Sequence, residues 1–365
     1  MKKVLTLMLA LVMVVAVFAA CSQPAAETPS EAAPSEAASE APSEAPSEEA
    51  PSEEASEEPV AEGKDPMTAK YLFAIGHMSN AWAVDMSNSM ESYAAEVGID
   101  LEVRSGEKDI NTQVSQIESA ITEGFDVVFI ESVAIDGIGP ALQQLKDAGI
   151  VTIMVVQKVS DPEMYDAYVG NSNEDIGRLE MQRAMDDIGG EGKIAVLTGP
   201  MGSDSQIGRS AGYEEVLANY PDVEVVREDE ALWTTEDALK LAENWLQTDS
   251  DVKAFVCQND PMALGAIKAL EDMNLNDSVF TYGVDAVPDG LQAIADGRMT
   301  ATVNPNTYGT AVLAIDTAMA LLRGETLPEK DLIVECFIVD KDNVADYLPA
   351  DAATDDAAGE EEAAE

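Results

Sequence analysis

Val252-Lys-Ala-Phe-Val-Cys257 runs straight into Gln258-Asn-Asp-Pro-Met-Ala-Leu-Gly-Ala266, and that junction decides the fold. The first segment is a short apolar run of strand length, bounded by polar residues. Pro261 then presets the backbone angle of a first helical turn, and helix-forming residues follow it. Asp260, between Asn259 and Pro261, reads as the cap of that helix. A strand delivering a polar turn into a helix is half of a βαβ unit.

Working outward, the same junction recurs along the chain. Strands are predicted at Tyr71–Ile75, Leu101–Arg104, Asp126–Ile130, Ile150–Val156, Lys193–Leu197, Val223–Arg227 and Val279–Val284. Helices are predicted over Ala83–Val97, Asn111–Glu123 and Ile138–Ala148, stopped by Gly98, Gly124 and Gly149, as helix ends favour. The rhythm restarts at Lys193, so the expected fold class is α/β, with two doubly wound parallel-sheet lobes. In such sheets ligands bind beyond the carboxyl ends of the strands. The segments to inspect are therefore 76–82, 157–158, 199–209, 258–260, 285–288 and 303–306, which are polar and aromatic where the strands are apolar.

Composition narrows the function. Net charge is −50, and residues 67–349 alone hold 50 acidic against 17 basic side chains, leaving −33. Nucleic-acid binding needs a basic footprint, so that class is excluded. Lys2-Lys3, the apolar run Leu9–Ala20 and the small pair Ala19-Ala20 before Cys21 form an export signal. The run is short for a bilayer span of ~20 residues. The Ala-Ala-Cys junction resembles a bacterial lipobox, with Phe18 departing from the usual leucine. It implies cleavage after residue 20, a palmitate-type lipid on Cys21 and attachment to the outside of the bacterial cell membrane. Residues 21–66 repeat a Pro-Ser-Glu theme without apolar periodicity and read as an acidic tether with an r.m.s. span on the order of 35–40 Å. Residues 350–365 read as a second acidic tail. Cys257 and Cys336 sit in apolar runs and are expected to be free thiols.

The segment Gln258–Ala266 followed by Gly283-Val-Asp-Ala-Val-Pro-Asp-Gly290 closely resembles the ribose-binding family, the substrate-binding proteins of sugar ABC transporters. The resemblance covers roughly residues 70–339. It implies two lobes joined by a three-segment hinge, with crossings near Gly170-Asn171, Asn304–Thr307 and Glu335-Cys336. The first lobe would take residues 67–170 and 306–335, the second 171–305 and 336–349.

Ser79-Asn80-Ala81-Trp82 resembles the family's first cleft motif, and Leu232-Trp233 matches a ligand-facing aromatic position. Asp285 would offer two acceptor oxygens to adjacent hydroxyls, through bonds of about 1.5–3 kcal/mol net. Asn80 and Asn259 would each add a donor and an acceptor. Trp82 and Trp233 would lay flat apolar faces on a ring. Gln157 and Asn304 complete the expected ligand-binding set, and His77 lies in the first cleft loop. Neither a metal site, a cofactor nor a catalytic residue is expected.

Where ribose binders carry an Asp-Arg pair, this chain has Val156-Gln157 and then Lys158; Ile207 stands at the family's second-lobe arginine, and Arg209 aligns with a structural neighbour. The glutamine expected near the third crossing is replaced within Val303–Asn306. Ribose itself is therefore a poor match, and a small neutral sugar, deoxy sugar, cyclitol or nucleoside-like ligand is expected. The implied role is a monomeric, non-enzymatic receptor that closes over its ligand and docks on an ABC permease. The alternative is a sensory receptor presenting a sugar or furanosyl signal to a chemotaxis or kinase partner.

Overall fold

The computed structural model describes residues 63–348. The export signal, Cys21, most of the tether and the acidic tail lie outside the described residues. Residues 63–66, which the sequence assigns to the tether, dock on the folded body. The Lys64 amide donates to the Leu322 carbonyl at 2.7 Å, its ammonium pairs with Asp126, and Asp65 caps a short turn at Pro66–Thr68.

The first half of the chain alternates β1 (Lys70–Ile75), α1 (Ala81–Val97), β2 (Asp100–Ser105), α2 (Ile110–Glu123), β3 (Val127–Glu131), α3 (Gly139–Asp147), β4 (Val151–Val155) and β5 (Ala167–Gly170). After a crossing come α4 (Asn173–Ile188), β6 (Gly192–Thr198), α5 (Asp204–Leu217), β7 (Val223–Glu230), α6 (Thr235–Leu246), β8 (Ala254–Cys257), α7 (Asp260–Asp272), β9 (Phe280–Val284), α8 (Pro288–Ala295) and β10 (Ala301–Asn304). The chain then returns through α9 (Thr307–Leu322) to β11 (Asp331–Ile333), and ends on β12 (Phe337–Asp340).

These strands form two six-stranded sheets, ordered β11-β5-β4-β3-β1-β2 and β12-β10-β9-β8-β6-β7. Pairing is parallel throughout except where β12 runs antiparallel to β10. The chain passes between the sheets three times, at 171–172, 305–306 and 334–336. The Asn171 side chain donates to the Val334 carbonyl at 2.9 Å, tying the first crossing to the third.

The central strands are unbroken apolar runs because helices cover both faces. Met86 and Met90 of α1 and Ile315 of α9 pack one face of the first sheet, while Ile117 of α2 and Leu142 and Leu145 of α3 pack the other. The second sheet is enclosed likewise, by α6, α7 and α8 on one side and by α4 and α5 on the other. Edge strand β7 carries Glu224, Glu228 and Glu230, a charged edge that discourages further pairing. Strand order reverses between β1 and β3 in one sheet and between β6 and β8 in the other, so each lobe has a switch point where a crevice opens.

Candidate binding cleft

A cavity of ≈ 140 Å³ opens at the carboxyl ends of the two sheets. The first lobe lines it with His77, Asn80 and Trp82 after β1, Glu131 at the end of β3, and Val156 and Gln157 after β4. The second lobe supplies Ser203, which caps α5, Ser205 and Arg209 on α5, Trp233 after β7, Asn259 after β8 and Asp285 after β9. Asn171 and Pro305, from two of the crossings, line it as well. Six of the seven residues predicted from sequence thus meet at one cavity, together with His77.

Asn304 is the exception. Its side-chain oxygen accepts from the Asn306 amide at 2.6 Å, which turns it into the crossing, and Pro305 takes its place on the wall.

The two cleft asparagines work differently from the sequence reading. Asn80 caps α1, accepting from the Ala83 amide at 2.8 Å, and Asn259 caps α7, accepting from Met262 at 3.0 Å. With those oxygens committed, the side-chain amide N–H groups are what remain for a ligand. The Asn80 amide has no protein acceptor among the described residues, and that of Asn259 lies 3.4 Å from the Trp233 carbonyl. The helix cap expected at Asp260 therefore belongs to Asn259. Asp260 is fully buried instead, accepting from the Val287 amide at 2.9 Å and the Thr302 hydroxyl at 2.6 Å, which knits α7 to the loop after β9 and to β10.

Arg209, expected to be structural, also faces the cavity. Its guanidinium donates to the Gln258 carbonyl, lies 5.6 Å from the centre of the Trp233 ring and stands 3.9 Å from Asp285. Ile207 points away and is exposed. Lys158 also leaves the cleft, pairing with Asp331 at 2.6 Å and lying 4.6 Å over the Tyr168 ring.

Trp233 is held from beneath by Gly199, where a Cβ would sit 1.9 Å from the indole. Gln258 fixes the same floor, accepting from the Gly199 amide at 3.0 Å and donating to Ser210 at 3.0 Å. Val156, Leu232, Trp233, Asp285 and Ala286 all have positive φ, at 64°, 54°, 62°, 111° and 55°. Left-handed backbone at non-glycine residues costs of order 1–3 kcal/mol each and gathers at ligand clamps.

Electrostatics follow from burial. Asp285 is pushed up to about 7 by desolvation, opposed by Arg209 and reinforced by Asp85. Glu131 is pushed up to about 7 by desolvation, against the bond it accepts from the Gly76 amide at 2.7 Å. Burial, then the Lys108 charge, lowers the His77 imidazole; its Nδ1 faces the Ser79 amide at 3.3 Å. Behind the wall, Glu180 pairs with the Tyr213 hydroxyl and is pushed up to about 8 by complete burial. Cys257 and Cys336 are both free.

Sequence reasoning missed Glu131, Asn171, Asn173 and Ile176 as lining residues. Glu131 was within reach of the strand-end rule, since it closes β3.

The wall offers hydrogen-bond donors, acceptors and two aromatic faces on opposite lobes, the equipment for enclosing a polyol. Among the described residues no cluster of His, Cys, Asp and Glu is placed to hold a metal ion. Fold and site thus define a two-lobed binding protein with its cleft at the strand ends. The periplasmic binding protein domain family matches residues 71–326, and the chain belongs to that family. It is 33% identical to a xylitol-binding protein of Mycolicibacterium smegmatis over 271 residues, covering 73% of this chain and 75% of that one. A periplasmic binding protein of an arabinose ABC transporter from Shewanella sp. ANA-3, solved with L-arabinofuranose, superposes with a TM-score of 0.72 at 27% identity, covering 80% of this chain and 97% of that one. An ABC transporter solute-binding protein of Bacillus halodurans C-125, solved with myo-inositol, gives 0.70 at 27% identity, covering 78% of this chain and 98% of that one. These relatives are binding proteins rather than enzymes.

Proposed function

We propose that this chain is an extracytoplasmic solute-binding lipoprotein, held to the cell membrane by a lipid on Cys21. It captures a small polyol of the sugar or cyclitol class between its lobes and hands it to an ABC permease. One observation carries the reading: Trp82 from one lobe and Trp233 from the other line the same cavity, with Asp285, Arg209, Asn80 and Asn259 around them. Relatives solved with arabinofuranose and myo-inositol support the ligand class. In this reading the lobes are residues 67–170 with 306–335 and 171–305 with 336–349. Ligand contacts made on both lobes favour the closed form, because only differential affinity shifts the equilibrium.

A thermal-shift screen of xylitol, arabinose, myo-inositol, ribose and nucleosides tests it, since binding raises stability by RT ln(1 + [L]/Kd). At least one polyol should raise the melting temperature, and Asp285→Ala and Asn259→Ala should each remove most of that rise. A panel without any shift rejects the polyol reading, and unchanged shifts in both variants reject the site.

A further inference from the structure

Glu131 is the group on the cavity wall that capture of a neutral polyol leaves without a task. It closes β3 beside the first lobe's switch point and is only 3% exposed. Its Oε2 accepts from the Gly76 amide at 2.7 Å, while Oε1 has no protein partner among the described residues. A buried carboxylate is costly unless it is paired, and carboxylates are almost never fully buried without a partner.

No cation on the wall is available to it. Arg209, the guanidinium among the lining residues, sits on the other lobe, engaged with the Gln258 carbonyl, the Trp233 ring and Asp285. Lys158 is turned away to Asp331. His77 shares the cavity, but burial and Lys108 work against its protonation. Among the lining residues Glu131 thus has no cation beside it, in a folded body already carrying −33. The missing positive charge can arrive with the ligand.

We propose that the bound polyol carries a protonated amino group, seated against Glu131 Oε1. The inference rests on the polyol reading and narrows it to amino sugars, amino-deoxy alditols and amino-cyclitols. Asp285 and Arg209 would hold hydroxyls at the opposite end, so Glu131 sets specificity. A charge-assisted bond in place of a neutral one predicts a preference of roughly 10- to 100-fold over the hydroxyl analogue.

Calorimetric titration with matched pairs tests this: sorbitol and 1-amino-1-deoxysorbitol, glucose and glucosamine, myo-inositol and its mono-amino-deoxy analogues. At least one amino compound should bind about tenfold or more tightly than its neutral twin. Glu131→Gln keeps an acceptor for Gly76 and should bring that ratio near one. Asp285→Asn should weaken both twins together and preserve the ratio. Neutral twins binding as well or better throughout overturn the inference and leave the polyol reading standing. A ratio that survives Glu131→Gln, or vanishes in Asp285→Asn, places the ammonium elsewhere and overturns it too. If no member of any pair binds, the polyol reading fails first and this one falls with it.

Discussion

Arg209 Nη2 and Asp285 Oδ1 stand 3.9 Å apart, with side chains only 9% and 11% exposed. The pair is the electrostatic hinge of the second lobe's wall. The same guanidinium donates to the Gln258 carbonyl and covers the Trp233 ring, so one side chain organises a carboxylate, a strand end and an aromatic face.

Removing that cation leaves a buried carboxylate with its neighbour gone. Arg209→Met should lower stability by about 1–3 kcal/mol, through the buried Gln258 carbonyl left without its donor, while Asp285, already raised to about 7, takes up a proton. Arg209→Lys should recover little of it, because an ammonium lacks the planar fork that serves several partners at once. Urea midpoints of the two variants check this. A native midpoint in Arg209→Met would show that the pair does not hold the wall.

Gly199 is required by contact. A methyl group there would sit 1.9 Å from Trp233 Cζ2, so Gly199→Ala must push the ring toward the cavity or displace the loop after β7. Overpacking of this kind costs about 1–3 kcal/mol. Ligand affinity should fall about tenfold as the aromatic face moves. Tryptophan emission and a binding titration report the two effects, and native values in both would mean that the ring is not seated by Gly199.

Stability should fall as pH rises from about 5 to 8. Burial raises Glu131 and Asp285 to about 7 and Glu180 to about 8, and holds Asp260 well above its usual range. Between their ordinary values near 4 and these raised ones, the folded chain binds more protons than the unfolded chain. Each step upward in pH therefore favours unfolding, the cost of ionising the buried acids being fully present only above the raised values. Asp109, Asp251 and Asp340, whose values are lowered, act below pH 4; His77, lowered from its ordinary value near 6.5, opposes the trend around pH 6, one group against four. Glu180→Gln should flatten the slope by up to a few kcal/mol over the window. A melting temperature independent of pH from 5 to 8 would contradict it.

What could be read from the sequence follows from how each part is held together. The central strands were legible because burial on both faces leaves uninterrupted apolar runs such as Tyr71–Ile75. Strand β11, three residues paired to β5 across more than 150 positions, has no periodic signal of its own. Asn304 was expected at the cleft by the strand-end rule, which fails there because the chain leaves its sheet at that residue. Arg209, read as structural, does hold the end of β8 through the Gln258 carbonyl; that it also lines the cavity depends on α5 reaching back over that strand end, a tertiary fact. Glu131 directly follows the expected strand Asp126–Ile130 and so was legible by the strand-end rule; what the sequence does not carry is its burial against the Gly76 loop.

Asn259 and Asp260 are adjacent, polar and easily confused, yet they should fail in different ways. Asn259→Ala removes the cap of α7, worth about 1 kcal/mol, together with an amide on the cavity wall. It should keep the fold at modestly lower stability and lose most of the stabilisation that a polyol confers. Asp260→Ala orphans the Val287 amide and the Thr302 hydroxyl in a fully buried site, where Gly283 and Gly290 crowd the carboxylate so closely that a Cβ on either would come within 2.4 Å of its oxygens. Two unpaired buried groups at about 1–3 kcal/mol each predict a larger loss of stability. Since Asp260 does not line the cavity, ligand should still raise the melting temperature from that lower baseline. Melting curves of both variants with and without the stabilising polyol separate the roles; equal ligand-induced shifts in the two would show that the cap and the wall are not distinct.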